Sequence, residues 1–466
     1  MNVRSFLAIL VGKCLFKLSR RTRKGGGSAL PGLIAERIKP DLLPFFLAKL
    51  PQGNMVVSGT NGKTTTARMI STILKSQRIK VLHNRSGSNL LRGILSTCIE
   101  HADFRGNISS HLGLWEVDEA VLPLAIHELK PHTILLTNLF RDQLDRYGEI
   151  DTLKRKWLQS LQALPEDTTV LLNADDPSLA FIGKHLGCTV LYFGLDDKEL
   201  TLPQLPHAAD AVQCPECQHI LDFDQIYASH MGHYSCRNCG FTRPALTIRV
   251  PEIRNMSIDS VQFSLEYNSI IYKTILRVPG IYNVYNAVAA VTASLSRNIK
   301  LQDITSSLSS FTAAFGRVEK IQIGTKTVFL FLVKNPTGFN EVLRTILQFS
   351  NQHIQHLFLS LNDLVADGRD VSWIWDVDLE LLKGKVTHLT VSGIRAPDLL
   401  LRLKYAEVLE PVQTFRVDVN QKKAFEKALD KLHARETLFL LPTYTAMLDI
   451  REYFVKQGYT HHLWKD

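Results

Sequence analysis

No run of 18 uninterrupted apolar residues occurs in the 466-residue chain, so no ordinary membrane-spanning helix is expected. Collagen-like and coiled-coil rods are excluded too. With 45% hydrophobic and 21% charged residues, the chain has the balance of a soluble globular protein with buried cores. Cysteine is sparse and odd in number, seven in all, four of them in one short stretch. Cys14, Cys98 and Cys188 stand apart, in contexts expected of ordinary buried thiols. That is not the even spacing of a secreted disulfide framework, and a reducing cytoplasm is expected.

Acidic residues are missing from the first part of the chain. Before Glu36 stand seven basic residues, Arg4, Lys13, Lys17, Arg20, Arg21, Arg23 and Lys24. Of the formal net charge of +9, only +2 is therefore left for the rest. The basic character belongs to the tail, which also carries the short apolar run Phe6-Leu7-Ala8-Ile9-Leu10-Val11-Gly12. Two readings stand: a segment resting on anionic lipid headgroups, or a helix packed on the body with a solvated basic face.

At roughly 150 residues per domain, about three domains are expected, or two and an insertion. Residues 25–40 read as a glycine hinge and a short helix. From about residue 53, apolar strands alternate with helical segments: strands at 55–58, 132–139, 168–173 and 189–193, and a helix at 64–75 with Met69, Ile70, Ile73 and Leu74 at core spacing. Such alternation predicts an α/β fold with a mostly parallel, doubly wound sheet. A cysteine-rich insertion at about 210–243 interrupts it, followed by antiparallel strands at 246–250, 261–267 and 270–278 and a helix at 283–296. The rhythm resumes after Phe315-Gly316-Arg317, with strands at 328–332, 356–361, 386–391 and 437–441. Helices are expected between and after these strands, at 338–350, 397–406, 420–433 and 444–457.

Two constellations carry chemistry. Gly59-Thr60-Asn61-Gly62-Lys63-Thr64-Thr65 joins a strand to a helix. A tight glycine turn there leaves backbone N–H groups free for phosphates, the helix start adds partial positive charge, the lysine reaches terminal phosphates and a threonine hydroxyl can bind Mg²⁺. The general phosphate-loop pattern asks for a further glycine where Val57 stands, so this is a shorter G-x-x-G-K-T-T variant. The second is Cys214-Pro215-Glu216-Cys217, then 18 residues, then Cys236-Arg237-Asn238-Cys239-Gly240. Paired C-x-x-C knuckles bring four thiolates to one ion with every position filled, a structural zinc ribbon. His219, His230 and His233 beside it are expected at the surface.

The glycine loop resembles the ATP loop of the Mur ligases and folylpolyglutamate synthetases, and other segments agree in order. Trp115-Glu116-Val117-Asp118-Glu119-Ala120 is similar to the family's second acidic site, and Thr137-Asn138-Leu139 with Asp142-Gln143-Leu144-Asp145 to its T-N-x-x-x-D-H-L-D. Asn173-Ala174-Asp175-Asp176-Pro177 is similar to its base-contacting stretch and Tyr282-Asn283-Val284-Tyr285-Asn286-Ala287 to its H-N-x-x-N-A. Gly316-Arg317-Val318-Glu319 resembles its domain junction, and Lys334-Asn335-Pro336 its H-N-P. The resemblance implies a basic tail and hinge at 1–40, a Mur-type central ATP-binding domain at 41–315 and a C-terminal Rossmann-like α/β domain at 316–466. It also implies ATP contacts from Gly59, Thr60, Asn61, Gly62, Lys63, Thr64, Thr65, Asn173, Arg317 and Asn335, with Mg²⁺ on Thr64 and Glu116 and catalytic roles for Lys63 and Glu116.

Three departures narrow the resemblance. The loop begins at Gly59, which leaves no room for the preceding domain that grips a nucleotide-linked sugar. Gln143 stands where the family has a metal-binding histidine, which counts against a second Mg²⁺ site, while Lys156 lies near the place of a carbamylated lysine in some members. The third departure is the cysteine insertion. Together with the segment from Asn362 to Asp376 (N-D-L-V-A-D-G-R-D-V-S-W-I-W-D), Ser392-Gly393-Ile394-Arg395-Ala396 and Leu441-Pro442-Thr443-Tyr444-Thr445, these resemble the MurT family, the synthetase subunits of lipid II isoglutaminyl synthase.

That resemblance implies ATP-dependent amidation of the D-glutamate α-carboxyl in the lipid II stem peptide, through an acyl phosphate, in peptidoglycan biosynthesis. It implies ammonia from a separate GatD-like glutaminase in a heterodimer, because none of the three isolated cysteines lies in a nucleophile turn. An aspartate of the synthetase subunit completes the partner's site in that family; Asp370 and Asp367 are both candidates, and both could equally cap the next segment. The implied location is cytoplasmic, peripheral to the inner face of the membrane. Two other readings fit the chain less well. A ligase acting on a soluble substrate is disfavoured by the zinc insertion and the D-G-R-D segment. A nucleic-acid-binding NTPase is disfavoured by a near-neutral body and a ribbon that is not rich in Lys, Arg or exposed aromatics.

Overall fold

The computed structural model describes residues 3–22, 29–84, 88–141, 150–312 and 318–460. Arg317, Asp142-Gln143-Leu144-Asp145 and the hinge glycines lie outside the described residues. Helices α1 (Val3–Thr22), α2 (Leu30–Ile38) and α3 (Leu42–Leu47) precede strand β1 (Asn54–Ser58) and α4 (Lys63–Ser76). The alternation continues through β2 (Val81–His83), α5 (Leu91–His101), β3 (Leu112–Glu116), α6 (Leu122–Leu129), β4 (Thr133–Leu136), α7 (Ile150–Gln162), β5 (Thr169–Asn173), α8 (Pro177–Lys184) and β6 (Thr189–Leu195). The hairpin β7 (Asp222–Ala228) and β8 (Met231–Ser235) follows, then β9 (Ile248–Arg254), β10 (Val261–Tyr267), β11 (Ile270–Leu276), α9 (Ile281–Leu295) and α10 (Leu301–Ser309). The last part holds β12 (Val318–Ile323), β13 (Lys326–Phe331), α11 (Pro336–Phe349), β14 (Ile354–Ser360), β15 (Val386–Ser392), α12 (Ala396–Tyr405), β16 (Thr414–Asp418), α13 (Gln421–Lys431), β17 (Thr437–Pro442) and α14 (Tyr444–Lys456).

The first sheet runs β11-β10-β9-β6-β5-β4-β1-β3-β2. From β2 to β9 every pairing is parallel, and β9, β10 and β11 pair antiparallel. Alternate side chains of each parallel strand enter different cores, which is why these strands read as continuous apolar runs. Met55 and Val57 of β1 pack with α4 and α9. Val56 packs on the other face with α3 and α5. The second sheet, β12-β13-β17-β14-β15-β16, is parallel except at β12–β13 and is likewise covered on both faces. This is the doubly wound α/β architecture that the alternation predicts. Strands β2, β3, β7, β8, β12 and β16 are not anticipated by the alternation.

The tail helix α1 is docked on the body through small residues. Ser5, Ala8 and Ile9 are buried, and a Cβ on Gly12 would fall 2.9 Å from Ile99 Cγ2. Cys98 is a buried thiol as expected, with its ionisation pushed up by burial, and Cys188 is half-buried. Cys14 is the exception: it is exposed, because it faces outward from α1. No described helix is long and apolar enough to cross a membrane.

A buried carboxylate ties the sheet to its insertion. Asp175, fully buried after β5, receives Arg243 Nε at 2.6 Å, Tyr285 Oη of α9 at 2.7 Å and the Leu195 N–H at 2.9 Å. Removing that acceptor takes the nearest carboxylate from a guanidinium whose side chain is 12% exposed, leaving it the Leu195 carbonyl and Asp196 at 3.6 Å. Asp175→Ala should therefore cost about 3–5 kcal/mol in chemical denaturation. A loss below about 1 kcal/mol, the range of an exposed pair, would contradict this role.

Candidate functional site

Strand β1 lies between β3 and β4, so the chain ends that follow these three strands converge on one crevice, where open α/β sheets bind ligands. The turn from β1 to α4 needs two positive φ angles, 131° at Gly59 and 88° at Gly62. A Cβ at Gly59 would lie 2.2 Å from Thr137 Oγ1, and one at Gly62 would lie 2.0 Å from Asn286 Oδ1. Only glycine meets both the angle and the space. The loop is clasped from its neighbours. Asn61 N–H donates to Asn138 Oδ1 at 2.8 Å, Asn138 Nδ2 donates to Asn61 O at 3.1 Å, and Thr137 Oγ1 donates to the same carbonyl at 2.8 Å. Among the described residues no side chain caps α4, and its first turn holds no acid. Its leading N–H groups therefore form a seat for an anion.

Lys63 and Thr64 begin that helix. The expectation that the lysine reaches for phosphate meets a more specific geometry: Lys63 Nζ turns back to donate to Gly59 O at 2.6 Å and to pair with Glu119 Oε2 at 2.8 Å, both side chains nearly buried. Glu119 in turn lies beside Trp157, whose indole N–H donates to the Glu119 carbonyl at 2.8 Å. Thr64 Oγ1 donates to Glu116 Oε1 at 2.8 Å, so the two residues named for Mg²⁺ are adjacent. Among the described residues Glu116 Oε2 is buried with no hydrogen-bond partner, a carboxylate oxygen available to a cation. Asn84 holds the Glu116 backbone at both N–H and carbonyl, at 2.9 and 2.8 Å. Hard oxygen donors of this kind suit Mg²⁺.

The remaining candidates are placed as follows. Asn335 is buried, caps α11 through Gly338 N–H at 2.8 Å, and donates through Nδ2 to Asn61 Oδ1 at 2.9 Å. The second sheet's domain thus touches the glycine loop. Asn173 is fully buried, donating to Thr137 O at 3.1 Å and to Met231 Sδ at 3.3 Å and accepting from Asp175 N–H. It braces the crevice from behind. Lys156 is exposed on α7. Glu119, Asn84 and Asn286 complete the geometry without having been singled out. Glu119 shares the acidic W-E-V-D-E-A run, but nothing in the sequence pairs it with Lys63.

The two aspartates of D-G-R-D differ sharply. Asp367 is buried, and both carboxylate oxygens are engaged, one by Thr445 N–H at 2.8 Å and the other by the Thr445 hydroxyl. It fastens the start of α14. Asp370 is exposed. One oxygen accepts from Ser372 N–H at 2.8 Å, and this bond holds the carboxyl below its ordinary range. Apolar Leu364, Val365 and Trp375 are exposed in the same segment.

The four sulfurs of Cys214, Cys217, Cys236 and Cys239 lie within 4.8 Å of one another. Two matching knuckles shape them: Gln218 N–H donates to Cys214 O and Gly240 N–H to Cys236 O, at 2.9 and 3.0 Å. Asn238 and the His219 N–H hold the Cys217 thiol down to about 6, while burial pushes Cys214 up. His219 is exposed as expected, and His233 is half-buried. His230 corrects the surface expectation: it is fully buried, its Nδ1 accepting from Asp210 N–H at 3.1 Å. The tip of the β7–β8 hairpin tucks under β5, where Gly232 N–H donates to Asp175 O at 3.0 Å and Tyr234 Oη to Ala174 O at 2.9 Å.

Comparison with known proteins agrees with this geometry. Residues 57–239 match the family model described as Mur ligase middle domain, and residues 332–447 match MurT ligase C-terminal. The chain is 34% identical over 451 residues to the lipid II isoglutaminyl synthase (glutamine-hydrolyzing) subunit MurT of Staphylococcus aureus strain COL, covering 97% of this chain and 98% of that one. It is 33% identical over 457 residues to the subunit of the same name from Streptococcus pneumoniae strain R6, covering 97% of each. Among solved structures, a pseudomurein peptide ligase type C from Methanothermus fervidus superposes with a TM-score of 0.68 at 21% identity, covering 94% of this chain and 85% of that one. Mycobacterium tuberculosis folylpolyglutamate synthase, complexed with ADP and AMPPCP, superposes with a TM-score of 0.61 at 12% identity, covering 96% and 99%. These two show the fold.

Gly62→Ala should abolish nucleotide binding, followed by titration of a fluorescent ATP analogue, and lower stability by about 1–2 kcal/mol from the left-handed backbone alone. Gly187→Ala, where an added Cβ meets nothing within 4 Å, should leave both unchanged. Undiminished nucleotide affinity in Gly62→Ala would remove the loop from the site.

Proposed function

We propose a reaction from one premise: this chain belongs to the MurT family of lipid II isoglutaminyl synthase subunits. On that reading it is the ATP-using, carbon–nitrogen ligase half of a glutamine-dependent enzyme of peptidoglycan biosynthesis. The observation that carries it is the start of α4, uncapped among the described residues, beside Lys63, Thr64 and a Glu116 Oε2 that none of them bonds. The D-glutamate α-carboxylate of the lipid II stem peptide attacks the γ-phosphorus of ATP, giving an acyl phosphate and ADP. Ammonia then adds to the acyl carbon, loses a proton, and expels inorganic phosphate to leave D-isoglutamine.

The chain's residues act mainly by position and charge. N–H groups of the glycine turn and of α4 cradle the phosphates. Lys63, already desolvated against Glu119, balances charge on the transferring group. Thr64 and Glu116 would hold Mg²⁺, which when bound adds positive charge at the phosphates. Asn335 would bring the C-terminal domain to the nucleotide through Asn61. Arg317 and Asn173 remain assigned to ATP by resemblance, Asn173 from the second layer.

Ammonia comes from a GatD-like glutaminase subunit in a heterodimer, and Asp370 rather than Asp367 is the residue offered to it. An exposed carboxylate held only by the neighbouring Ser372, in a segment with exposed apolar side chains, can orient a histidine across an interface; one locked on Thr445 cannot. Zinc fits the four thiols, as soft donors closing a tetrahedron with no open position, and its place would be structural. A lipid-anchored substrate would bring the enzyme to the inner face of the cytoplasmic membrane.

A reconstituted assay with ATP, lipid II and the partner separates these roles. Lys63→Ala should abolish product from glutamine and from ammonium salts alike. Asp370→Asn should remove glutamine-dependent product while ammonium-dependent product persists, and loss of both would refute the assignment. Elemental analysis of the purified chain should find about one zinc per chain, absent from Cys236→Ser/Cys239→Ser; a metal-free wild type would contradict the ribbon assignment.

A further inference from the structure

Helix α1 has an unusual distribution of side chains. The residues it turns to the body are small: Ser5, Ala8 and Gly12 stand on one face, with Ile9 beside them, and let the helix approach α5 closely. The residues it turns outward are large and apolar. Val3 is 83% exposed, Leu7 47% and Leu18 58%, and with half-buried Leu10 and exposed Cys14 they follow the helical repeat along one stripe. Phe6 is exposed beside them, and Phe104 from the loop after α5 extends the patch. A surface helix ordinarily places its apolar stripe toward the core and charges toward water. Here the outward face is apolar and needs a second apolar phase.

The charge around that stripe is of one sign. Arg4 and Lys17 are exposed at its two ends, and Arg20, Arg21, Arg23 and Lys24 follow in the sequence, with no acid before Glu36. Lys13 lies along the edge, its Nζ 5.7 Å from the Phe104 ring centre and donating to Glu100 O at 3.2 Å. At about 1.5 Å per residue, the 20 residues of α1 make a rod of about 30 Å that can lie flat on a surface. We propose that the outward face of α1 docks on a bilayer surface rich in anionic headgroups: Val3, Phe6, Leu7 and Leu18 enter the acyl boundary while the basic residues meet the phosphates. The two readings of the tail are thereby joined, since the helix packs on the body and still presents a lipid-facing stripe. This goes beyond the amidation reading and does not depend on the chemistry of the glycine loop.

The test is sedimentation of the full-length chain with vesicles. Wild type should bind vesicles containing phosphatidylglycerol, bind pure phosphatidylcholine weakly, and be released by high salt. Leu7→Asp/Leu18→Asp should weaken binding to phosphatidylglycerol vesicles by about tenfold or more, with ATP-analogue binding and melting temperature unchanged. Arg4→Glu/Lys17→Glu, which changes two exposed side chains, should weaken it and reduce its salt dependence. A wild type that stays in the supernatant, or apolar-face variants that bind as well as wild type, would overturn the proposal. So would a wild-type dimer that Leu7→Asp/Leu18→Asp splits into monomers, because the stripe would then be a contact between two copies.

Discussion

Everything in the crevice is arranged around one constraint: the backbone between β1 and α4 must turn through two left-handed glycines and leave the first N–H groups of α4 without internal partners. Unsatisfied donors at a helix start are costly unless water or an anion meets them. The surrounding chain keeps the turn open. Thr137 and Asn138, just past β4, take the Asn61 peptide on both sides. Asn286 of α9 fills the space beside Gly62 and accepts from Thr66 Oγ1. Glu119 holds the cationic end of Lys63.

That arrangement gives the cysteine insertion a mechanical place. Its hairpin tip reaches β5, where Met231 Sδ accepts from Asn173; Asn173 donates to the Thr137 carbonyl, and Thr137 donates to Asn61 of the glycine loop. Three contacts separate the hairpin from the glycine loop. On the opposite side Asn335, fixed as the cap of α11, bonds to the Asn61 side chain. One four-atom side chain in the loop therefore senses the second domain, while its peptide senses the strand that the ribbon braces.

Much of this was legible in the residues. The strand–glycine–helix signal was local, and its continuous apolar strands implied a sheet covered on both faces. The knuckle spacing of Cys214, Cys217, Cys236 and Cys239 anticipated four sulfurs in one cluster. Strand β12, with mostly half-buried or exposed side chains, and the edge strand β16, whose Phe415 and Val417 point outward, lacked the apolar run that marks the others. The partnership of Lys63 with Glu119, the burial of His230 and the orientation of Cys14 are tertiary facts with no local pattern. The division of labour between Asp367 and Asp370 is of the same kind: three residues apart on a glycine turn, one is captured by Thr445 from a distant helix and the other faces solvent.

The claim beneath the account is that this chain activates a carboxyl group by moving phosphate onto it. Lipid II labelled with ¹⁸O in the D-glutamate α-carboxylate tests this directly. When ammonia expels phosphate from the acyl carbon, the bridging oxygen leaves with phosphorus. Mass analysis of the released inorganic phosphate should find one ¹⁸O per amidation event, with the other retained in the amide carbonyl. Unlabelled phosphate alongside amidated product would contradict an acyl phosphate and the role given to the glycine loop.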